Sequence, residues 1–258
     1  MVTKTRLVFS AVVLLAEVLC SAEKNLSFPV GIYFNPIREE PRAVTYGYEG
    51  VRIALEENGF DDVRYIKSFH PEELKDIRVL IISSVQRYPS AWDLNQVREQ
   101  QRKFVETGGG LLLIHEAIGW RGVFKDNPVF QEIGRGVAYD GKTFAPVQVT
   151  PLVVVDKNHA ITRNLPESFA MQYDCAPLKP GPKGRVLIKL ADEAYVRGQK
   201  VKLDNLAALI VGEHGRGRVV LMGPLVGLAR LPREMENPPQ GGELQMLLNA
   251  VKWAAGLD

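Results

Sequence analysis

The sequence contains few cysteines and little net charge, and each shortage excludes a class of protein. Only 2 of the 258 residues are cysteine, which excludes a fold held together by a network of disulfides. Lysine and arginine number 32 against 30 acidic residues, a net charge of +2. A nearly neutral chain offers no bulk field for gripping nucleic acid or an anionic membrane. Because the basic residues are not clustered with aromatic residues, no nucleic-acid partner is expected.

The amino terminus has the pattern of an export signal. Lys4 and Arg6 precede an apolar run at residues 7–19. That run is shorter than the roughly 20 residues that span a bilayer and fits the core of a signal peptide, about 7–15 residues. Small residues then precede a cleavage point after Ala22. We therefore expect a signal peptide at 1–22, one mature domain at 23–258 without an integral membrane span, and a periplasmic or extracellular location.

A lipoprotein signal, with Cys20 acylated, is the alternative for this segment. Leu19 is larger than the residue that usually precedes such a cysteine, which disfavours the lipid-anchored form. Cleavage after Ala22 leaves Cys175 as the only cysteine, so no internal disulfide can form. We expect Cys175 to be a packed apolar residue rather than a nucleophile.

Apolar strands alternate with amphipathic helices along the chain, which indicates an α/β fold. The most apolar strands are nearly continuous runs, and such strands are typical of a mostly parallel sheet that helices cover on both faces. Later, the glycines at 215 and 217 predict a tight turn that joins an antiparallel hairpin. Strands are predicted at 28–35, 63–67, 78–85, 111–115, 147–155, 185–191, 206–213 and 218–222, helices at 46–58, 71–74, 91–107 and 243–255, and an irregular insertion at 118–146.

The three glycines at 108–110 do not form a phosphate-binding loop. Phosphate-cradling glycines follow a strand and open a helix, so that backbone N–H groups face the anion. Here the predicted helix comes first and the strand follows. The glycines are therefore interpreted as the end of a helix and a closely packed strand entry.

Polar side chains follow three of the predicted strands. Asn35 ends the first, Ser84 and Gln86 end the third, and His115 and Glu116 end the most apolar one. Ligands of open α/β sheets bind beyond the carboxyl ends of the strands. A histidine there can serve as a base, a metal ligand or a hydrogen-bond donor to a sugar hydroxyl. The alternative is a structural histidine whose ring is satisfied by backbone groups.

Four segments carry a resemblance to a known family. GGGLLLIHEAIGW at 108–120 resembles a signature of the trehalose-utilisation-like (ThuA-like) proteins, within the class I glutamine amidotransferase-like superfamily. DKNHAITRNLP from Asp156, GEHGRGRVVLM from Gly212 and the closing helix that ends at Trp253 are similar to further family segments, in the expected order. The resemblance implies a flavodoxin-like three-layer α/β sandwich, a pocket near His115, a role in sugar metabolism and, in some members, a divalent metal.

This chain departs from the patterns that it resembles. Amidotransferase relatives carry a cysteine at the strand end that here reads IHEA from Ile114. Acyl transfer needs such a nucleophile beside a base, so glutaminase activity is not expected. The segment GPLVG from Gly223 lacks an expected histidine, and the segment QYD that ends at Asp174 replaces an expected acidic pair. Both changes remove polar groups from the expected pocket.

The candidate site residues follow from these patterns. His115 and Glu116 are the catalytic candidates. A divalent metal such as zinc, if present, would be held by His115 and His159, with Asp156 and Glu116 as further candidates. The alternative is that Asp156 caps a turn and that His159 packs over the loop that follows. The substrate-binding candidates are Asn35, Ser84, Gln86, Trp120 and Arg230.

Two functions of different classes stay open. The first is an exported enzyme that processes a small-molecule carbohydrate, with His115 as acid/base and Glu116 as its partner. It requires Ser84, Gln86 or His159 beside His115. The second is a non-catalytic binding or scaffold module of the cell envelope. It predicts a buried His115 that only backbone groups contact.

Overall fold

The computed structural model describes residues 26–35, 45–85, 87–119, 129–137, 151–196, 199–203, 205–229 and 235–258. The predicted signal peptide, 1–22, lies outside these residues. The helices are α1 (Tyr48–Glu56), α2 (Pro71–Leu74), α3 (Leu94–Glu106) and α4 (Gly241–Ala254). The strands are β1 (Val30–Tyr33), β2 (Val63–Ile66), β3 (Val79–Ile82), β4 (Gly110–Ile114), β5 (Gly134–Gly136), β6 (Pro151–Val154), β7 (Ser168–Ala170), β8 (Leu178–Pro180), β9 (Arg185–Leu190), β10 (Glu193–Val196), β11 (Gln199–Lys202), β12 (Ala207–His214), β13 (Gly217–Met222), β14 (Leu228–Ala229) and β15 (Met235–Glu236).

One mixed sheet of eleven strands organises the described residues, in the order β2-β1-β3-β4-β13-β12-β9-β6-β7, with β8 on β12 and β5 on β8. The first five strands of this order are parallel neighbours. From β12 onward the neighbours are antiparallel. The α/β prediction is therefore confirmed, including the mostly parallel core and the antiparallel hairpin, which β12 and β13 form.

Helices cover both faces of the sheet, and β4 is therefore buried on both sides. Leu112 and Ile114 belong to one apolar cluster, which includes residues of α1 and α4. Leu111 and Leu113 belong to the other, which includes residues of α3. Successive side chains of a strand point to opposite faces, so the two clusters are the two sides of a three-layer sandwich.

The last helix lies very close to the start of β4. A Cβ added to Gly110 would stand 2.3 Å from the carbonyl oxygen of Ala254, at the end of α4. Only glycine allows this approach. Since the end of α4 lies at the start of β4, the beginning of α4 lies toward the carboxyl ends of the parallel strands.

Several predicted elements differ in extent from the observed ones. Helix α3 begins at Leu94 rather than at 91, because the side chain of Asp93 caps it by accepting from the backbone N–H groups of Asn95 and Gln96. The predicted strand 147–155 is described only from Pro151, where β6 runs to Val154. Of the predicted insertion 118–146, residues 118–119 and 129–137 are described, and the second range contains β5. No helix among the described residues is long and apolar enough to cross a membrane.

Candidate functional site

The candidate site lies where β3 and β4 end side by side. The two strands are parallel and in register, with Ile82 opposite Leu113. The residues that follow them are therefore neighbours, which brings Ser84 beside His115 and Glu116. The sequence prediction that these three share one edge of the sheet agrees with this placement.

His115 occupies a sharp turn between a strand and a helix. It follows β4 directly, opens a short 3₁₀ helix (His115–Ile118), and has a left-handed backbone with φ 53°. This conformation costs a residue with a Cβ about 1–2 kcal/mol and is uncommon outside glycine and asparagine. Strain of this kind clusters at functional sites. In this chain the turn carries the imidazole of His115. Amidotransferase relatives carry a cysteine at the corresponding strand end.

Four side chains form a continuous series of polar contacts around the ring. Ser84 Oγ lies 3.3 Å from His115 Nδ1 and donates to Glu116 Oε2 at 3.0 Å. On the other side of the ring, His115 Nε2 lies 3.1 Å from Asp174 Oδ1. The series therefore runs from Asp174 through His115 and Ser84 to Glu116. We call these four residues the polar relay.

The two ends of the polar relay are more accessible than its middle. His115 is 3% exposed and Ser84 is buried. The side chain of Asp174 is 13% exposed, and Glu116 is half-buried. The ring thus lies behind the two carboxylates, and a ligand that reached this edge of the sheet would meet a carboxylate before the imidazole.

Backbone contacts fix Asp174 at the site. Its carbonyl oxygen accepts from the N–H of Leu225 at 2.9 Å, and the N–H of Ala176 donates to the carbonyl oxygen of Gly223 at 2.9 Å. These contacts join the segment after β7 to the segment that follows β13. Because β13 is parallel to β4, both segments lie at the edge where His115 stands.

The surroundings of His115 favour a charged ring. Burial works against the charged form, but the negative charge of Asp174, with a smaller contribution from Glu116, outweighs it and raises the pKa of His115 above its ordinary value. The hydrogen bonding agrees. When Ser84 donates its single hydroxyl proton to Glu116, its Oγ can accept a proton from Nδ1 of the ring. Nε2 lies beside a carboxylate oxygen of Asp174, so the contacts on both sides suit the protonated ring.

Other predicted site residues lie partly outside this arrangement. Asn35 is buried beyond the end of β1, at the same edge of the sheet, and its backbone N–H donates to Thr45 Oγ1 at 3.2 Å. Gln86, Trp120 and Arg230 lie outside the described residues, so their predicted contacts with substrate remain predictions.

His159 lies at the opposite end of the sheet from His115. Its ring centroid is 5.1 Å from that of Trp253, near the end of α4, and its Nδ1 accepts from the backbone N–H of Ile161 at 3.2 Å. The structure therefore does not bring His159 to His115 as a shared metal site would require. Among the residues that the structure describes, no cluster of three or more histidine, cysteine or acidic side chains could hold a metal ion.

The structure agrees with the alternative in which Asp156 and His159 have structural roles. Asp156 Oδ1 accepts from the backbone N–H of Asn158, as in a turn cap, and its Oδ2 pairs with Arg185 at 2.5 Å. Burial lowers the pKa of His159, and the nearby charge of Arg185 acts in the same direction. His159 is therefore a structural residue that caps a short 3₁₀ helix.

Cys175 is buried and makes no disulfide. Burial raises the pKa of its thiol well above the ordinary value, and the negative charges of Asp174 and Glu243 add to the rise. A neutral buried thiol is a poor nucleophile. The expectation of a packed apolar residue matches this environment.

Sequence reasoning missed Asp174 as a partner of His115. It was noticed only as a departure from the acidic pair that the family pattern led us to expect. Glu243 was missed altogether, although it is 0% exposed. The one available signal was an acidic residue among the apolar positions of the closing helix.

Fold and site together define an α/β domain with a histidine-centred polar cluster at the carboxyl ends of a parallel sheet. The family described as "Trehalose utilisation" (ThuA) matches residues 38–254. The chain belongs to this family. No curated protein matches the sequence.

Solved structures of similar fold include two ThuA-like proteins and one larger enzyme. A putative ThuA-like protein from Bacteroides uniformis has a TM-score of 0.59 at 19% identity, over 88% of this chain and 91% of that one. One from Parabacteroides merdae has a TM-score of 0.58 at 17% identity, over 89% and 90%. A beta-galactosidase from Bacillus circulans sp. alkalophilus has a TM-score of 0.55 at 13% identity, over 90% of this chain and 31% of that one. At these identities the likeness concerns the fold.

Proposed function

We propose that this ThuA-family protein processes a small-molecule carbohydrate at the carboxyl ends of β3 and β4, with His115 as the source of the proton and Glu116 as the group that meets the substrate. The observation that carries the proposal is the polar relay, in which a buried ring contacts Asp174 on one side and Ser84 on the other. The ring thus contacts a serine hydroxyl and a carboxylate, which are the kinds of group that take part in proton transfer.

The polar relay is suited to general acid/base chemistry. As Ser84 gives its hydroxyl proton to Glu116, it accepts the Nδ1 proton of His115, and the ring becomes neutral. Glu116 then carries a proton that it can give to a sugar oxygen, and the reverse order removes one. Asp174 favours the protonated ring between turnovers. Proton transfer by positioned groups contributes about 10²–10⁴-fold to a rate.

The carbohydrate class rests on the family and on the kind of groups at the site. The family takes its description from trehalose utilisation, and sugars present the hydroxyl and acetal oxygens on which a carboxylate can act. We further propose that Asn35, Gln86, Trp120 and Arg230 contact the sugar.

We also propose that the protein lacks glutaminase activity. The turn after β4 presents His115, and the thiol of Cys175 is buried with a raised pKa. Export through a signal peptide at 1–22, to the periplasm or the cell exterior, belongs to the same proposal. Its support is the sequence pattern alone.

A non-catalytic binding or scaffold module is the second candidate. The 3% exposure of His115 favours it, because a ring so enclosed cannot itself touch a substrate. In that case the polar relay would serve to stabilise the turn after β4.

Turnover of a panel of mono- and disaccharides by three proteins tests the proposal. The proteins are the wild type, His115→Ala and the control His214→Ala, which removes a histidine paired with Glu106 and Glu132 away from the site. We expect turnover of at least one sugar by the wild type and His214→Ala, and a loss of about 10²-fold or more in His115→Ala. Equal turnover by all three, or no turnover by the wild type, would overturn the catalytic proposal. Sugar-dependent thermal stabilisation without turnover would favour the second candidate.

A further inference from the structure

Glu243 is a buried carboxyl group in the first turn of α4. The residue is 0% exposed, and neither carboxyl oxygen has a hydrogen bond of regular geometry. An ionised carboxylate without partners is very costly in a protein interior, whereas a neutral carboxylic acid is tolerated. The residue therefore needs an explanation that ordinary packing does not give.

The first turn of α4 lies against the segment that carries Asp174. Gly242 packs on the ring of Phe169 in β7, and the backbone N–H of Gln172 faces the carboxyl of Glu243. The thiol of Cys175 feels the charges of both Glu243 and Asp174. Residues 172–175 thus lie between Glu243 on one side and His115, which Asp174 contacts, on the other.

Burial raises the pKa of Glu243 to about 8, and the N–H of Gln172 offsets only part of the rise. The elements packed against α4 include β4, β7, β13 and the short helix at Ala160–Thr162. Neither β4 nor β7 carries a titratable side chain. Arg218 of β13 and His159 both lie against Trp253, at the other end of α4. On the segment that lies against Glu243, Cys175 is the group that its charge affects, and Tyr173 and Asp174 are the other titratable side chains.

We propose that Glu243, in its neutral form, is a positioning residue that holds residues 172–175 so that Asp174 faces His115. Ionisation of Glu243 places a second negative charge behind Asp174 and disturbs this segment, so the arrangement of the site depends on pH. The proposal rests on the proposed function only in taking His115 and Asp174 as the site. It concerns their geometry and not the substrate.

The first test is the pH dependence of the folding equilibrium constant, from denaturant unfolding at pH 5 to 10, for the wild type and Glu243→Gln. Glutamine has the same shape and no charge. Because the folded state holds the proton more tightly than the unfolded chain, the stability of the wild type relative to Glu243→Gln should fall as pH rises. The ratio of the two constants should change about tenfold per pH unit from roughly 4.5 to about 8 and then level off. A ratio that stays constant would overturn the proposal. The exposed Glu57→Gln is the control, with no such change expected.

The second test separates positioning from packing. The pKa of His115, from NMR titration of the ¹⁵N-labelled ring, should stay raised in Glu243→Gln and fall toward the ordinary value in Glu243→Ala. An unchanged value in Glu243→Ala would overturn the positioning role. If the alanine variant does not fold, NMR titration of the ¹³C-labelled carboxyl group of Glu243 in the wild type tests the proposal instead. A titration midpoint below pH 6 would contradict the proposal. None of these readouts uses a sugar, so absence of turnover would defeat the proposed function while leaving this inference intact.

Discussion

The Nε2 atom of His115 lies 3.1 Å from Oδ1 of Asp174, across two segments that are far apart in the chain. The segment of His115 follows β4 directly. The segment of Asp174 is hydrogen-bonded to the residues that follow β13. The contact joins the two halves of the fold at the site, and the negative charge of Asp174 raises the pKa of the buried ring against the effect of burial.

Asp174→Asn should destabilise the protein in a pH-dependent way. The raised pKa of His115 means that its stabilisation is complete below pH about 6.5 and is lost as the pH rises through the folded value. We expect the variant to lose about 1–3 kcal/mol of unfolding free energy at pH 6 and less at pH 9. Denaturant unfolding at both pH values measures this. The exposed Asp61→Asn is the control, and a loss independent of pH would contradict the account.

Ser84→Ala should interrupt the polar relay without removing the ring or the carboxylate. Its neighbour Ser83, whose Oγ donates to the carbonyl oxygen of Tyr46, offers a matched control. Each alanine variant should cost about 1 kcal/mol of unfolding free energy. Only Ser84→Ala should also lower sugar turnover, by roughly tenfold or more. Equal effects of the two variants on turnover would show that Ser84 has no special role.

His159→Ala should affect stability but not the site. The substitution removes the acceptor for the N–H of Ile161 and the contact with Trp253, at about 1 kcal/mol. Calorimetry measures this loss of stability. Elemental analysis measures bound metal and the sugar assay measures turnover, and neither should change. A loss of bound metal or of turnover in this variant would reverse our assignment of His159 as a structural residue.

Gly110→Ala should weaken the packing of α4 on β4. The new Cβ would meet the carbonyl oxygen of Ala254, so helix and strand must separate, at about 1–3 kcal/mol. Gly59→Ala is the comparison, because a Cβ there meets nothing within 4 Å and only the left-handed backbone costs about 1–2 kcal/mol. Thermal unfolding of both variants measures the two losses of stability. Gly110→Ala as stable as the wild type would contradict the close approach.

The sequence pattern predicted the parallel half of the fold well because β1, β3 and β4 are buried on both faces. Their apolar runs end in polar residues, and parallel strands end at one edge, so Ser84 and His115 could be placed together in advance. The half-exposed strands β7, β8 and β11 lack such runs, and none of them was predicted.

Asp174 and Glu243 could not be predicted because tertiary contacts alone place them. Asp174 comes to His115 through hydrogen bonds between its own segment and residues 223–225, which no local pattern encodes. Glu243 is buried because the first turn of α4 packs on Phe169. His159 was a metal candidate because of its residue type and its spacing from Asp156, and its position in the fold separates it from His115.

The protonation state of His115 at pH 7 is the most direct test of the account, because the whole polar relay depends on a ring that carries two protons. The ¹⁵N chemical shifts of the ring nitrogens, measured by NMR on labelled protein, distinguish the charged ring from either neutral form. We predict that Nδ1 and Nε2 are both protonated at pH 7 and that one proton leaves only at a pH above the ordinary value for histidine. A ring that is neutral at pH 7 would contradict the account.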